Sequence, residues 1–168
     1  SGKFPNLKEA WQVARPSVED GNVAFGLMIS FGTGGTVEAD LVDLGDGPLD
    51  SYEKRKAETE GKIVMVSSAQ PAGLARYLHR SEKYQRSVLA GAAGWIFMTH
   101  YPAYGPPTGG ISPIIPGIGV SYEDGAYLAR VLRRKGRVKL RLDVQCKNLQ
   151  VDTWNVVADL PGKVEGET

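Results

Sequence analysis

Gly61-Lys-Ile-Val-Met-Val66, Ala90-Gly-Ala-Ala-Gly-Trp-Ile-Phe-Met98 and Ile115-Pro-Gly-Ile-Gly-Val-Ser-Tyr-Glu-Asp-Gly-Ala-Tyr-Leu128 are the three segments that decide the fold of this chain. Each contains a short run dominated by apolar residues, at positions 63–66, 95–99 and 118–120. Short continuous apolar runs are typical of strands that are buried on both faces, as in a sheet flanked by helices. We therefore expect three central strands covered by helices.

The clearest single element is a helix predicted over residues 122–135. Ser121 is a good N-cap, and Asp124, three residues later, can complete a capping interaction with it. Apolar residues recur at helical spacing along the segment, and Gly136 can end it in a left-handed conformation. Directly afterwards, residues 138–144 alternate between apolar and charged. This period of two predicts a strand with one face in the core and one in water.

A second helix is predicted between about Leu74 and Ala92, and its pattern allows a break near Ser81. Ahead of it, Val37 to Leu44 is predicted to form a strand that closes in the turn 45–48, where glycine and proline concentrate. Strands and helices thus alternate through the middle of the chain. This order favours a mixed α/β core over a helical bundle or a pure β-sandwich.

The first thirty residues carry weaker signals. Residues 24–30 are predicted to form a further strand. Residues 10–14 alternate like a strand that ends at Pro16, whereas Asn6 and Glu9 have the spacing of a helix cap. We favour the strand.

The composition indicates one ordinary folded domain with an uneven distribution of charge. The chain has 168 residues, of which 42% are hydrophobic and 23% charged, and its net charge is +1. Acids outnumber bases eight to three between Glu38 and Glu60, and bases outnumber acids eleven to three between Arg76 and Arg141. Such asymmetry can attract nucleic acids or acidic peptides. The bases fall on the predicted outer faces of two helices and a strand, so we interpret them as solvated surface and expect no nucleic-acid partner.

Residues that could bind a metal ion or act as nucleophiles are few and scattered. The two histidines, His79 and His100, are far apart in the sequence, and no His-x-Asp or His-x-x-x-His pair occurs. The acids at 43–53 lack the spacing of a calcium loop and are interpreted as a polar turn, and Ser51-Tyr-Glu-Lys54 as a surface turn. The single cysteine, Cys146, cannot form an internal disulfide. We predict no catalytic, cofactor-binding or metal-binding residue in this chain, and no membrane-spanning segment.

One segment has the composition of a recognition surface. Residues 100–113 contain four prolines and three glycines, which predicts an exposed, irregular loop. His100, Tyr101 and Tyr104 lie in this loop, and rigid aromatic side chains on an exposed loop can anchor a partner. We take these three as candidate partner-facing residues. Packing of the loop on its own domain is the alternative.

Taken in order, the strand and turn at 37–45 and the three segments quoted above resemble a protease-associated (PA) domain. The stretch Trp154-Asn-Val-Val-Ala-Asp-Leu-Pro-Gly162 resembles the return strand that leads into the catalytic domain of a co-catalytic zinc aminopeptidase. That group also contains glutamate carboxypeptidase, and its relatives include the transferrin receptor apical domain. The tail favours this type over subtilisin-like peptidases and vacuolar sorting receptors, which share the domain without it.

The resemblance implies a swivelling β/β/α fold, in which a mixed sheet or sandwich carries flanking helices. It implies a joining segment at 1–36, a PA domain at 37–145, and a return strand at 146–168 that leads toward a catalytic domain. It also implies a secreted, extracellular or periplasmic parent enzyme that holds zinc in its catalytic domain. In the family the first metal ligands follow the Pro-Gly in a His-x-Asp, which residues 163–168 lack, so no metal ligand can be transferred to this chain.

The function implied is that of a non-catalytic module that restricts or shapes the access of substrates to a peptidase active site. Its partners are then the catalytic domain of the same protein and a peptide or protein substrate. A second hypothesis is autonomous binding of a protein or peptide through the loop at 100–113. A third is that the chain is itself an enzyme, and the missing metal ligands argue against it.

Overall fold

The computed structural model describes residues 33–107, 114–145, 152 and 154–158, together with the backbone of Ser17–Val18. The strands in these ranges are β1 (Ser17–Val18), β2 (Gly35–Asp43), β3 (Ile63–Ser67), β4 (Gly94–Met98), β5 (Gly117–Val120) and β6 (Lys139–Val144). The helices are α1 (Leu49–Lys54), α2 (Lys56–Thr59), α3 (Arg80–Leu89) and α4 (Tyr122–Lys135). This content confirms the predicted α/β class.

The strands form one mixed sheet in the order β1-β6-β2-β3-β4-β5. Strands β2 to β5 run parallel, and β6 runs antiparallel to both β1 and β2. The long strand β2 joins the antiparallel part of the sheet to the parallel part. Its first residues pair with β6, and its last residues, Leu41–Asp43, pair with β3. Thr33, just before β2, forms a bridge with Pro116, just before β5. The sheet is therefore curled, which confirms the mixed-sheet architecture expected for a PA domain.

The central strands β3 and β4 are buried on both faces. Successive side chains of a strand point to opposite sides. Ile63 and Met65 of β3 accordingly join a core that includes Leu128 of α4, whereas Val64 and Val66 join a second core that includes Tyr84 of α3. This two-sided burial confirms the prediction made from the apolar run at 63–66.

Helix α4 begins and ends at the predicted residues. The Asp124 N–H donates a hydrogen bond to Ser121 Oγ at 3.1 Å, and Ser121 Oγ donates to Asp124 Oδ2 at 2.9 Å. At the other end, Gly136 has φ 73° and its N–H donates to the Leu132 carbonyl at 2.8 Å. Both caps use side chains or conformations within a few residues of the helix end, which is why the sequence predicts them.

The face of the sheet opposite the buried residues of β6 carries ion pairs between β2 and residues in or just before β6. Lys139 Nζ lies 2.7 Å from Glu38 Oε1, and Arg137 Nε lies 2.8 Å from Asp40 Oδ1. Lys62 Nζ approaches the other oxygen of Asp40 at 2.8 Å. Acidic and basic regions that are distant in the sequence thus partly neutralise each other in the fold.

The helix predicted between Leu74 and Ala92 is shorter than expected, because α3 spans only Arg80–Leu89. The Gln70 side chain accepts a hydrogen bond from the Leu78 N–H at 2.7 Å and donates one to the Leu78 carbonyl at 3.2 Å. These bonds occupy backbone groups that a longer helix needs for itself. Residues 71–79 form a non-helical loop instead.

The interpretation of 43–53 as a polar turn, and of Ser51–Lys54 as a surface turn, is wrong in part. The turn ends at Pro48, and α1 (Leu49–Lys54) follows it. Tyr52 explains the difference, since it is 4% exposed and packs in the second core. That burial is a tertiary contact, to which the spacing of the acids gives no clue.

Some predictions fall outside the described residues. They are the strands at 10–14 and 24–30, Cys146, residues 108–113 of the predicted loop, and most of the return strand at 146–168, including the tail at 163–168. The segment boundaries after residues 36 and 145 stay predictions. None of the helices in the described ranges has the length and apolar character needed to cross a membrane.

Candidate functional site

A cleft of about 620 Å³ lies at the carboxyl ends of β3 and β4. Because these strands are parallel and adjacent, the loops that follow them emerge at the same edge of the sheet. The residues lining the cleft are Ser68, Gln70, Tyr77, His79, Arg80, Phe97, Thr99, His100, Tyr101, Tyr104 and Pro107. A cleft of this size suits a small ligand or a few residues of a peptide.

Hydrogen bonds of Ser68 and His100 connect the loop after β3 to the loop after β4. The Ser68 N–H donates to the Met98 carbonyl at 2.8 Å, and the His100 N–H donates to Ser68 Oγ at 3.0 Å. Ser68 Oγ also lies 2.6 Å from His100 Nδ1. The imidazole of His100 is thereby held by one ring nitrogen, and its orientation is fixed.

The loop after β4 also forms a hydrogen bond with helix α4. The Ala103 N–H donates to Glu123 Oε1 at 2.8 Å, and this hydrogen bond is the main reason that the pKa of Glu123 lies below its usual value. Ala103 has φ 59°, a left-handed conformation that residues with a Cβ adopt rarely. Such a conformation persists where the surroundings hold it in place. The described part of this loop, residues 100–107, is therefore held in place by contacts within the domain.

The three aromatic residues predicted from the sequence lie together at the rim of the cleft. The ring centroids of His100 and Tyr101 are 3.7 Å apart, and those of Tyr101 and Tyr104 are 6.2 Å apart. Tyr101 is 58% exposed and Tyr104 is 75% exposed. Across the cleft, Tyr77 and His79 form a further ring pair at 6.3 Å. That any of these residues faces a partner is still a prediction.

Lys83 supports the cleft from inside the domain. The residue is 1% exposed, and its Nζ donates to the carbonyls of Ser67 at 2.8 Å and Ala69 at 2.6 Å. Burial lowers the pKa of Lys83 to about 8, and the nearby Asp46 acts in the opposite direction. The inclusion of Lys83 among the solvated bases was therefore wrong. Its stem and ammonium group are buried because two strand-end carbonyls receive the charge.

Several residues that build or support the cleft were not predicted from the sequence, among them Ser68, Gln70, Tyr77, His79, Arg80, Lys83 and Thr99. One signal was available, since Ser68 and Thr99 follow directly on strands predicted from apolar runs, and polar residues at such positions meet at one sheet edge. The others depend on contacts between distant parts of the chain.

One pair of side chains in the described cleft has the residue types of a nucleophile and a base. Ser68 and His100 are close enough for proton transfer, but no carboxylate lines the described cleft to orient the imidazole. Within the described ranges, no three side chains of His, Cys, Asp or Glu are grouped closely enough to bind a metal ion. This part of the chain therefore does not fit a zinc site, which the resemblance assigns to a catalytic domain. What the cleft presents is hydrogen-bonding groups and aromatic rings.

A second exposed feature lies near the end of the chain, in residues 154–158. Trp154 is 87% exposed, Val156 is 96% exposed and Val157 is 79% exposed. Single exposed apolar residues are ordinary, but three within four positions form a local apolar patch.

Several solved structures of known proteins are similar to this chain in fold. A zinc aminopeptidase from Bacillus subtilis is similar over 79% of this chain and 30% of its own, with 21% identity and a TM-score of 0.60. An aminopeptidase from Aneurinibacillus sp. strain AM-1 is similar over 80% of this chain and 31% of its own, with 16% identity and a TM-score of 0.58. The subtilisin-like protease Apa1 from Pseudoalteromonas sp. AS-11 is similar over 79% and 33%, with 15% identity and a TM-score of 0.53.

This chain therefore spans about a third of the length of those three structures. At these identities the likeness is one of fold, and it includes both a zinc aminopeptidase and a subtilisin-like protease. No curated protein matches the sequence. The family model of the PA domain matches residues 37–128, which is more than half of the chain and contains both loops of the cleft, so the chain belongs to the PA domain family.

Proposed function

We propose that this chain is the non-catalytic PA module of a larger zinc-dependent aminopeptidase, in which it restricts or shapes the access of substrates to the active site. The partners in this proposal are the catalytic domain of the same protein and a peptide or protein substrate. Zinc belongs to that catalytic domain, and the protein is secreted, extracellular or periplasmic. The PA match and the fold likeness to two aminopeptidases support the assignment.

The apolar patch at Trp154, Val156 and Val157 carries the proposal. It lies in the stretch that resembles the return strand toward a catalytic domain, and its side chains are almost wholly exposed in this chain alone. Burial of apolar surface is the main favourable term when domains associate. We infer that the catalytic domain covers this patch, which then fixes the position of the PA domain relative to the active site.

The test uses the larger aminopeptidase of this proposal, in which we expect a His-x-Asp soon after residue 168. Substituting Trp154→Ser together with Val156→Ser weakens the docking of the PA domain. We expect the ratio of kcat/KM for a long peptide to kcat/KM for an aminoacyl p-nitroanilide to change by about threefold or more, which is about 0.7 kcal/mol in transition-state free energy. A lid or gate acts on large substrates more than on small ones.

Leu89→Ser is the matched control, because Leu89 is an equally exposed apolar residue, at 78%, on the unrelated helix α3. It is expected to leave the ratio unchanged. An unchanged ratio in the Trp154 and Val156 variant, or the same change in the control, contradicts the access role.

A second candidate function is the recognition of a peptide by the PA domain on its own. The specific observation in its favour is the cleft with its exposed aromatic rim, formed by Tyr77, Tyr101 and Tyr104. Titration of the isolated chain with peptides separates the two candidates. Binding near the micromolar range supports autonomous recognition, and its absence favours the access role alone.

A further inference from the structure

The cleft between the loops after β3 and β4 is rimmed by exposed aromatic rings. Tyr77 is 70% exposed, Tyr101 is 58% exposed and Tyr104 is 75% exposed, and all three line the cleft. They come from both loops, since Tyr77 follows β3 and the other two follow β4. Single exposed apolar residues are ordinary, whereas several rings around one concave surface are typical of a binding site.

The inner surface of the cleft is aromatic as well. Phe97 lines the cleft and is only 5% exposed. Its ring stacks on that of Trp95 with the centroids 5.1 Å apart, and Trp95 meets the ring of Tyr84 edge to face at 5.2 Å. These three residues belong to the second core. An apolar group in the cleft therefore packs against a ring that core contacts keep in place.

The cleft gives little reason to favour a charged ligand. No carboxylate lines its described part, and Arg80, which does line it, already has an interaction partner in the chain. The two imidazoles each use one ring nitrogen within the domain, because His100 Nδ1 lies 2.6 Å from Ser68 Oγ and His79 Nδ1 accepts from the Ser81 N–H at 3.2 Å. The exposed ring surface is what remains, and it is complementary to an uncharged, apolar group.

Thr99 indicates that this apolar group belongs to a peptide and not to a simple hydrocarbon. The residue lines the cleft and is 3% exposed, yet its hydroxyl has no hydrogen-bond partner in the part of the chain that the structure describes. Buried side-chain hydroxyls nearly always have a partner, and an unpaired one calls for an explanation. A peptide bond next to the apolar group brings both an N–H and a carbonyl, and either can pair with the hydroxyl.

We propose that the cleft binds a peptide through one uncharged apolar side chain, which enters between the tyrosine of the loop after β3 and the tyrosines of the loop after β4. Phe97 supports this side chain from inside the domain, and the Thr99 hydroxyl pairs with an adjoining peptide bond. An aromatic side chain fits best, because ring pairs gain more than their buried area alone provides. The inference rests on the second candidate function, peptide recognition by the PA domain, and assigns its ligand class.

The test is an NMR titration of the ¹⁵N-labelled 168-residue chain with peptides of the form Gly-Ser-X-Ser-Gly, blocked at both ends so that only X differs. X is Phe, Leu, Ser, Glu or Lys. We expect the Phe peptide to bind about tenfold or more tightly than the Ser peptide, which corresponds to the burial of one large apolar side chain. The Leu peptide is expected to lie between them, and the Glu and Lys peptides to bind no more tightly than the Ser peptide.

The outcomes separate the two levels of the proposal. Equal affinity for the Phe and Ser peptides, or tightest binding of a charged peptide, overturns the apolar preference and leaves peptide recognition standing. Failure of every peptide to bind overturns both, while the access role keeps its own test at Trp154 and Val156.

Two variants test whether both loops contact the same side chain. Tyr77→Ser and Tyr101→Ser change exposed positions, so the fold is preserved, and each is expected to weaken the Phe peptide by about fivefold or more. Tyr122→Ser is the matched control, because Tyr122 is 37% exposed on α4 and does not line the cleft. Wild-type affinity in either cleft variant, or the same loss in the control, overturns the assignment of this cleft.

A third variant tests the contact with the peptide bond. Thr99→Val keeps the shape of the side chain and removes a hydroxyl that has no described partner, so the fold is preserved. We expect the Phe and Leu peptides to weaken by the same factor, about threefold, because the lost hydrogen bond goes to the peptide backbone and not to X. Unchanged affinity for both peptides overturns the role given to Thr99.

Discussion

At the scale of single residues, Lys83 connects the interior of the domain to the cleft. Its ammonium group is buried under the end of β3, where it donates to the carbonyls of Ser67 and Ala69 on either side of Ser68. Ser68 in turn holds His100 in the opposite loop. Lys83 touches no ligand in this account, and acts as a positioning residue for the wall of the cleft.

Substituting Lys83→Met removes the ammonium group and keeps most of the apolar stem. We expect the free energy of unfolding at pH 7 to fall by about 2 kcal/mol, because two strand-end carbonyls lose a charged donor. Urea unfolding measures the change. Lys56→Met, at an exposed position, is the control and is expected to have a small effect. A Lys83 variant as stable as the control contradicts the role given to this residue.

The pH dependence of stability gives a second test at Lys83. Its pKa is lowered to about 8 in the folded state, from 10.5 in the absence of burial. Between these values the unfolded chain holds the proton and the folded chain has released it, so the free energy of unfolding rises with pH, by up to about 3 kcal/mol. We expect this rise in the wild type and its absence in the Lys83→Met variant, by urea unfolding from pH 7 to 10. Parallel pH profiles for the two proteins contradict it.

At the scale of elements, the packing of α4 on β4 depends on one helical glycine. Gly125 is buried, and a Cβ at this position overlaps the side chain of Met98 in β4. A β-carbon there forces helix and strand apart or Met98 into another rotamer. The absence of a side chain at 125 thus sets how closely the helix approaches the sheet.

Substituting Gly125→Ala is therefore expected to lower the free energy of unfolding by about 1–3 kcal/mol through overpacking. The sign is informative, because alanine in place of a glycine within a helix otherwise stabilises by about 1 kcal/mol. Combining it with Met98→Ala makes room for the new methyl group, so the double variant loses less than the sum of the two single variants. Strict additivity in urea unfolding, or a stabilised Gly125→Ala variant, contradicts this packing.

Elements whose signals are local could be predicted from the sequence, and elements set by distant contacts could not. Helix α4 was predicted to the residue, since the Ser121 cap and Gly136 lie at its own ends. Helix α3 was predicted too long, because the Gln70 brace that keeps residues 71–79 out of it spans eight positions. Helix α1 was not predicted, because the burial of Tyr52 that stabilises it is a tertiary contact.

The same distinction applies to the cleft. His100, Tyr101 and Tyr104 stood out as aromatic residues in a proline-rich loop, and the structure places them on one wall. The opposite wall, with Tyr77 and His79, was not predicted, because only the parallel pairing of β3 and β4 brings the two loops together. A sequence pattern shows which loops are exposed but not which loops meet.

At the scale of the whole molecule, the buried strands and the loops at their ends carry different kinds of residue. Two apolar cores on opposite faces of the sheet hold β3 and β4 in place. The loops at the carboxyl ends of these strands carry the polar and aromatic side chains, which suits a site formed by variable loops on a constant scaffold. Ion pairs join Glu38 and Asp40 of β2 to Lys139 of β6 and to Arg137 just before it.

The central claim is that this chain is an accessory domain without a reactive centre of its own. The most direct measurement combines zinc analysis of the purified chain, after exposure to zinc and dialysis, with an aminopeptidase assay on an aminoacyl p-nitroanilide. Cooperative thermal unfolding of the same sample shows that the domain is folded. We predict a folded protein with far less than one zinc per chain and no turnover, whereas stoichiometric zinc together with peptide-bond cleavage by the chain alone contradicts the account.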